Sequence, residues 1–322
     1  MDYRTLGRSG LRVSATGLGC NNLGRSGTAT EDQAGTDAVI NAAIDAGITL
    51  FDSADIYGAE YGLSETRLGA ALGSRRDEVV VATKYGHADF TSPPFTHWGA
   101  KGSRRYVRQA VEGSLARLGT DRIDLYQLHT PDPITPIDEV LEALDELVKE
   151  GKVLYIGHSN FSGWQLAQAD LVADMRGLTH FVSAQNEYSL LKRGAELELL
   201  PAAEEFGVGF LPYFPLYNGL FTGKFTRTER PSDTRIARQR PHLADEAPWD
   251  EIEAYQAFCD ERGITMLEAT FGWLLAQPAM SSVIAGATKP EQVRQNAAAA
   301  TAWTPTDDDL ALIDGWFPAP TL

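Results

Sequence analysis

The sequence predicts an α/β protein: a (β/α)8 TIM barrel with a short N-terminal β-hairpin and long loops at the C-terminal face, spanning residues 1–322 as one domain. Three observations predict it. Short apolar segments alternate with amphipathic helical ones along nearly the whole chain, which requires parallel strands joined by helical crossovers. The glycines in and after the first such strand, Gly17, Gly19 and Gly24, are spaced too widely for the dinucleotide turn of an open doubly wound sheet. Asp52, Lys84 and His129 each stand at the end of an apolar run, and a barrel gathers the carboxyl ends of its strands at one mouth.

Taken in order, Arg4-Thr5-Leu6 and Leu11-Arg12-Val13 flank Gly7-Arg8-Ser9-Gly10 and read as a hairpin. Strands are expected at 17–19, 49–52, 79–83, 123–128, 153–157, 181–184, 208–211 and 282–284. Thr30-Glu31-Asp32-Gln33 resembles a capping box ahead of the helix through Ala38 and Ala46. Thr135-Pro136 opens a helix whose apolar face is Val140, Leu141, Leu144 and Leu147, and Gly151 closes it. Two connections are long. Residues 86–102 carry His87, Phe90, Phe95, His97 and Trp98. Residues 226–248 carry Arg227, Arg230, Arg235, Arg238 and Arg240, a basic lid that suggests an anionic ligand beneath it. Gly219 through Gly223-Lys224 is one residue short of a P-loop.

Composition narrows the function. At 43% hydrophobic and 22% charged residues, the 322-residue chain is globular. A formal net charge of −16 repels phosphate backbones, which argues against nucleic acid as a partner. Local cations and helix N-termini still permit a phosphate-bearing cofactor. Cys20 and Cys259 lack the spacing of a disulfide framework or a cysteine-ligated metal. The opening Met-Asp-Tyr-Arg-Thr-Leu has no apolar signal core and no long uncharged apolar run follows, so a soluble cytoplasmic protein without a membrane partner is expected.

Asp52, Tyr57, Lys84 and His129 form a set able to donate a proton to a carbonyl oxygen. Singly, each reads as a cap, a loop aromatic, a solvent-facing strand end or a core histidine. Their convergence on one mouth changes that. A phenol titrates near pH 10. Lowering it by two to three units takes roughly 3–4 kcal/mol, and an ammonium about 4 Å away supplies roughly 4 kcal/mol at an effective dielectric near 20. Lys84 is therefore expected to acidify Tyr57, with Asp52 keeping the lysine charged and His129 orienting the substrate oxygen. Such a set reduces nothing without a hydride source.

The chain resembles the aldo-keto reductases over essentially its full length. The motifs are Phe-Asp-Ser-Ala-Asp-Ile-Tyr-Gly, Ala-Thr-Lys-Tyr-Gly, Asp-Leu-Tyr-Gln-Leu-His, Gly-His-Ser-Asn-Phe and Ala-Gln-Asn-Glu-Tyr. The resemblance implies a barrel that reduces an aldehyde or ketone, or oxidises an alcohol, with NADP(H), NAD(H) being the weaker alternative. It places the proton donor, lysine, aspartate and histidine on Tyr57, Lys84, Asp52 and His129. It also implies Ser159, Asn160 and Gln185 at the nicotinamide carboxamide and Tyr213 stacked on its ring. Pro215, Leu216, Gly219, Leu220, Lys224 and Arg235 fall along the pyrophosphate, and Gly286, Thr288, Gln292 and Asn296 at the adenosine phosphate. The turn before Pro290 offers backbone N–H groups to an anion.

Three positions depart from the family's pattern: Phe214 stands where many members have Ser, Ala285 where Pro is frequent, and Thr288 where many have Arg for the ribose phosphate. NADP preference then rests on Lys289, Arg294 or the lid. Asn21, Tyr85 and Trp98 are candidate pocket-lining residues. Two other readings stand beside reduction: an NADP(H)-binding sensor or auxiliary subunit with little turnover, and a Schiff-base lyase using Lys84. Substrate and oligomeric state are not legible.

Overall fold

Runs of β-branched and apolar residues set the strands of the computed structural model, which describes residues 1–89 and 99–321. A hairpin pairs β1 (Tyr3–Thr5) with β2 (Arg12–Ser14), Tyr3 facing Ser14 and Thr5 facing Arg12. The parallel strands are β3 (Thr16–Gly19), β4 (Leu50–Asp52), β5 (Val80–Tyr85), β6 (Ile123–Leu128), β7 (Val153–Ser159), β8 (Phe181–Gln185), β9 (Gly209–Phe210) and β10 (Val283–Gly286). Their order, β10-β3-β4-β5-β6-β7-β8-β9, puts the last strand beside the first. The ring closes through Phe210, whose N–H donates to the Ala279 carbonyl at 2.8 Å and whose carbonyl accepts from Ser281 N–H at 3.0 Å.

Helices α1 (Gln33–Asp45), α2 (Leu63–Leu72), α3 (Arg104–Leu118), α4 (Ile137–Lys149), α5 (Gly163–Arg176) and α6 (Leu199–Phe206) cross over between successive strands. After β9 come α7 (Arg235–Gln239), α8 (His242–Asp245), α9 (Trp249–Glu261) and α10 (Met266–Leu275); α11 (Pro290–Ala302) and α12 (Asp307–Trp316) follow β10. The period-3.6 face of α4 is buried as its sequence requires, with Val140, Leu141, Leu144 and Leu147 inward. Among the described residues no helix is long and apolar enough to cross a membrane.

The hairpin and the strand interiors share one apolar cluster of Leu6, Val13, Leu50, Ala82, Leu125, Leu211 and Ile284. Each leucine, valine or isoleucine among them contributes about 1.5–3 kcal/mol on burial. Arg8 N–H donates to the Gly207 carbonyl at 2.7 Å, and Arg4 Nη1 to the Leu275 and Met280 carbonyls at 2.8 and 3.0 Å. These contacts precede β9 and β10, so the hairpin plugs the N-terminal end and leaves the other mouth open. Gly7, at φ +57, permits this approach: a Cβ there would lie 2.4 Å from the Gly207 carbonyl oxygen.

Three local expectations need correction. The α1 cap is Asp32, whose carboxylate accepts from Gly35 N–H at 2.8 Å, whereas the Thr30 hydroxyl donates to the Asn22 carbonyl at 2.7 Å. Residues 226–248 are not a plain loop, since they contain α7 and α8. β5, β7 and β8 run further than their apolar runs suggest, ending at Tyr85, Ser159 and Gln185, because the polar residues there still bond within the sheet.

Candidate active site

Asp52 closes β4, and Lys84 lies inside β5 in register with Gln127 of β6, which faces Gly157 of β7. A side chain at Gly157 would meet Ser183 Oγ at 2.1 Å and Gln127 Cγ at 3.1 Å, so its absence leaves Gln127 room. Lys84 Nζ donates to Asp52 Oδ2 at 2.6 Å and to the Ser53 carbonyl at 2.9 Å. The other carboxylate oxygen accepts from Gln185 Nε2 at 3.0 Å and Gln127 Nε2 at 3.2 Å. Both charges are buried, Lys84 completely. Burial alone would lower the lysine, but Asp52 and Tyr57 outweigh it, and the ammonium titrates above its ordinary value.

Tyr57 arrives on the segment after β4, pinned by its N–H to the Ala54 carbonyl at 3.1 Å and its carbonyl to Ser64 N–H at 3.0 Å. Lys84 Nζ lies 5.1 Å from its ring centroid, and the His129 ring meets it edge-on at 5.8 Å. The acidified phenol expected from the sequence is not what the structure has. Burial raises the Tyr57 hydroxyl above its ordinary value by more than Lys84 lowers it, and Asp52 pushes it up further. The carboxylate that the lysine binds offsets part of its field, and burial outweighs the rest. Tyr57 therefore stays protonated at neutral pH, as a proton donor must.

Burial and the neighbouring Lys84, His87 and Lys101 hold His129 neutral, its pKa far below the usual imidazole range. Its Nδ1 is buried without a partner, and the His87 ring packs against it at 4.6 Å. Asn160 Nδ2 donates to the His129 carbonyl at 2.9 Å, and the Tyr213 hydroxyl donates to Asn160 Oδ1 at 2.9 Å. Ser159 Oγ in turn donates to the Gln185 carbonyl at 2.6 Å.

A cavity of about 650 Å³ opens over this floor. Asp52, Tyr57 and His129 line it, as do Ser159, Asn160, Gln185, Tyr213, Pro215, Leu216, Gly219, Lys224 and Arg235 from the middle of the chain. Gly286, Thr288, Gln292 and Asn296, from the end of β10 and the turn and helix after it, line it too. Two of the expected residues do not reach it. Lys84 lies behind the wall, acting on the cavity through Asp52, Tyr57 and the field it exerts on His129, and Leu220 is buried in the apolar core, where it packs as a hydrophobe. Of the candidate lining residues Asn21 is present; Tyr85 is instead buried, stacked on Tyr126 at 4.7 Å; and Trp98 lies outside the described residues. The N–H groups of Thr288 and Lys289 already donate to Gln292 Oε1 at 2.8 and 3.2 Å, so Gln292 caps its own turn.

The cavity's residues suit a dinucleotide. Asn160, Phe214, Tyr217 and Asn218 all hold φ between 46 and 62, a conformation that costs of order 1–3 kcal/mol and collects at ligand sites. Both amide atoms of Asn218 are buried without partners, and beside it Gly219, at φ +103, has open space where a Cβ would point. An elongated polar ligand laid along 214–219 would satisfy these groups.

Several residues at the site carry no clear mark in the sequence. Gln127 completes the Asp52 pair, and its inward position was recoverable from the period-two alternation of β6. Arg25 lines the cavity from the connection between β3 and α1, which no local pattern marks. Asp55, on the segment after β4, is fully buried, and burial together with Glu65 pushes its carboxyl up to about 7.

The family model for the aldo/keto reductases matches residues 15–316. The chain is 39% identical over 300 residues to the uncharacterized oxidoreductase YrpG of Bacillus subtilis (strain 168), covering 91% of this chain and 89% of that protein. It is 33% identical to the L-glyceraldehyde 3-phosphate reductase of Escherichia coli (strain K12), over 98% of this chain and 92% of that one. It is also 33% identical to a probable voltage-gated potassium channel subunit beta of Oryza sativa subsp. japonica, over 92% and 90%. A full-length match of this kind, on a barrel carrying these residues at its mouth, leaves one assignment: the chain is an oxidoreductase of the aldo/keto reductase family.

Proposed function

We propose that the chain is an NADP(H)-dependent carbonyl reductase of the cytoplasm, in which Tyr57 protonates the oxygen of an aldehyde or ketone. The observation that carries this reading is the Lys84–Asp52 pair at 2.6 Å, buried beside a protonated Tyr57 and a neutral His129. The neutral imidazole donates one hydrogen bond to the substrate oxygen and holds it toward the phenol. As the oxygen gains charge, the Tyr57 proton moves to it, and Lys84 steadies the phenolate left behind.

Ser159, Asn160 and Gln185 would hold the nicotinamide carboxamide, Tyr213 the ring, the 215–224 segment with Arg235 the pyrophosphate, and Gly286, Thr288, Gln292 and Asn296 the adenosine phosphate. When bound, the dihydronicotinamide supplies the hydride equivalent that no side chain can. NADP over NAD would rest on Lys289, Arg294 or the lid. Lys84 suits a Schiff base poorly, because that chemistry needs a neutral amine and this one is held charged.

A second reading follows from the relatives named as channel beta subunits: a nucleotide-binding auxiliary protein with little turnover. A spectrophotometric panel of aldehydes, ketones and quinones, run with NADPH and NADH side by side, separates the two. Reduction of at least one carbonyl, with the higher kcat/KM for NADPH, is expected. Tight NADPH binding with no turnover across the panel would favour the auxiliary role instead.

A further inference from the structure

Three guanidiniums, those of Arg25, Arg235 and Arg240, line the cavity, and among the described residues none meets a carboxylate. Arg235 Cζ lies 4.7 Å and Arg240 Cζ 5.1 Å from the Phe214 ring centroid, so both cations stack on one aromatic. Arg25, from the connection between β3 and α1, reaches the same lid, its Nη1 donating to Gln239 Oε1 at 3.2 Å. All three line the cavity and all are half-buried. Arg235 Nε is buried with no hydrogen-bond partner among the described residues.

Among the described residues none of the three forms an ion pair, although the chain carries 44 acidic residues against 28 Lys and Arg. Elsewhere in the same lid, Arg227 pairs with Asp250 and Glu253, and Arg230 with Asp245. The acidic residues that do line the cavity are Asp52, already taken by Lys84, and Asp233. Glu187 and Glu246 act on the nearby Tyr217 without coming within ion-pair distance of Arg240. Burial, Arg25 and Arg240 together press Arg235 down to about 10, so the cluster is under mutual repulsion that an anion would relieve.

The anion's place follows from Tyr57, whose hydroxyl lies within the field of both Arg25 and Arg235. A charge held there belongs to the molecule being protonated. The proposed pyrophosphate path keeps its own cations, Lys224 and Arg235, and the open backbone at Asn218 and Gly219, which leaves Arg25 and Arg240 for a second anion. We infer that the carbonyl substrate carries a carboxylate or phosphate, gripped by Arg25 and Arg240, which flank Arg235, within reach of Tyr57. The inference rests on the carbonyl-reductase reading and narrows it to anionic aldehydes or ketones. The fork of a guanidinium matches either anion.

The test compares matched pairs at low ionic strength: glyceraldehyde 3-phosphate with glyceraldehyde, and succinic semialdehyde with butanal. In the wild type kcat/KM should favour the anionic member by about ten-fold or more, and added salt should shrink the ratio. In Arg25→Gln/Arg240→Gln the ratio should fall about ten-fold, a loss of about 1.4 kcal/mol of discrimination. A wild-type ratio near one, or a ratio unmoved by the substitutions, would overturn the proposal. So would a ten-fold rise in the NADPH Kd with the ratio intact, which would assign these cations to the dinucleotide. Thermal shifts of the NADPH complex with glycerol 3-phosphate and with glycerol separate the two ideas. If no carbonyl is reduced but glycerol 3-phosphate alone raises Tm, and only with Arg25 and Arg240 present, the anion pocket stands and the reductase reading falls. If neither compound raises Tm, the pocket falls too.

Discussion

In the floor of the cavity Lys84 meets Asp52 at 2.6 Å, with Gln127 and Gln185 on the other carboxylate oxygen; in the lid Arg235 and Arg240 meet an aromatic ring and no carboxylate among the described residues. The difference follows from burial. A charge removed fully from water must be answered by the fold itself, or folding bears several kcal/mol per ion. A half-solvated charge can stay unanswered at little cost until a ligand arrives. The floor therefore fixes its protonation states before anything binds, whereas the lid keeps its electrostatic capacity for recognition.

Tyr57→Phe should produce the largest effect, because it deletes the proton while leaving packing and charge in place. Turnover should fall by about 10²–10⁴, the usual worth of a positioned acid, with NADPH affinity unchanged by fluorescence titration. Near-normal turnover would mean that another group supplies the proton. The raised phenol also fixes the pH profile of the wild type. A group whose pKa is raised keeps its proton to higher pH, so carbonyl reduction should hold through neutrality and fall only above the ordinary phenol range near pH 10, where alcohol oxidation should rise. A reduction limb falling near pH 7 would show that a bound ligand, rather than the protein alone, sets the tyrosine.

Asp52→Asn comes next. It leaves Lys84 buried against a neutral amide, and breaking a buried pair costs about 3–5 kcal/mol. Chemical denaturation should show that loss, and turnover should drop with it. Adding Lys84→Met should recover part of the stability and none of the turnover. A double variant as unstable as the sum of its parts would show the two charges to be independent, contrary to the geometry.

The floor was largely legible in the sequence, whereas the lid was not. Asp52, Lys84 and His129 end apolar runs, and a barrel converts strand ends into one mouth whatever the loops do. Their surroundings were harder to read. Tyr57's titration depends on how deeply its hydroxyl lies and on Asp52 answering Lys84, neither of which the sequence spacing gives. The polar residues Lys84, Ser159 and Gln185 look like loop starts because they break apolar runs, yet they belong to β5, β7 and β8. Arg25 and Arg240 are 215 positions apart, and only the folded path of α7 brings both to the cavity.

Asp55 is the floor's exception. It is buried, Tyr61 donates to its Oδ2 at 3.2 Å, and its Oδ1 has no partner. Its carboxyl, 3.8 in an unconstrained chain, is pushed up to about 7 by burial and by Glu65. The sign follows from linkage. Between about pH 4 and 7 the folded chain binds a proton that the unfolded chain has lost, so stability falls as pH rises through that window. The full penalty, at most on the order of 4 kcal/mol, applies above pH 7. Asp55→Asn should remove this dependence and stabilise the protein at pH 8 relative to wild type, with a much smaller gain at pH 5. Equal denaturation midpoint shifts at both pH values would mean that Asp55 is ionised and paired in solution.

Arg235→Ala should give the smallest effect and completes the contrast with Asp52→Asn. Removing the guanidinium loses a cation–π contact with Phe214, about 0.5–1 kcal/mol, and also relieves its repulsion from Arg25 and Arg240. The two terms oppose each other, so the stability of the ligand-free protein should stay within about 1 kcal/mol of wild type. Because salt screens only the repulsion, the balance should favour the variant most at low ionic strength and shift toward wild type as salt is added. Denaturation curves at two salt concentrations measure both the size and the sign. A loss as large as that of Asp52→Asn would mean that the lid cations are already paired within the fold, and the division between a self-neutralised floor and an open-handed lid would be lost.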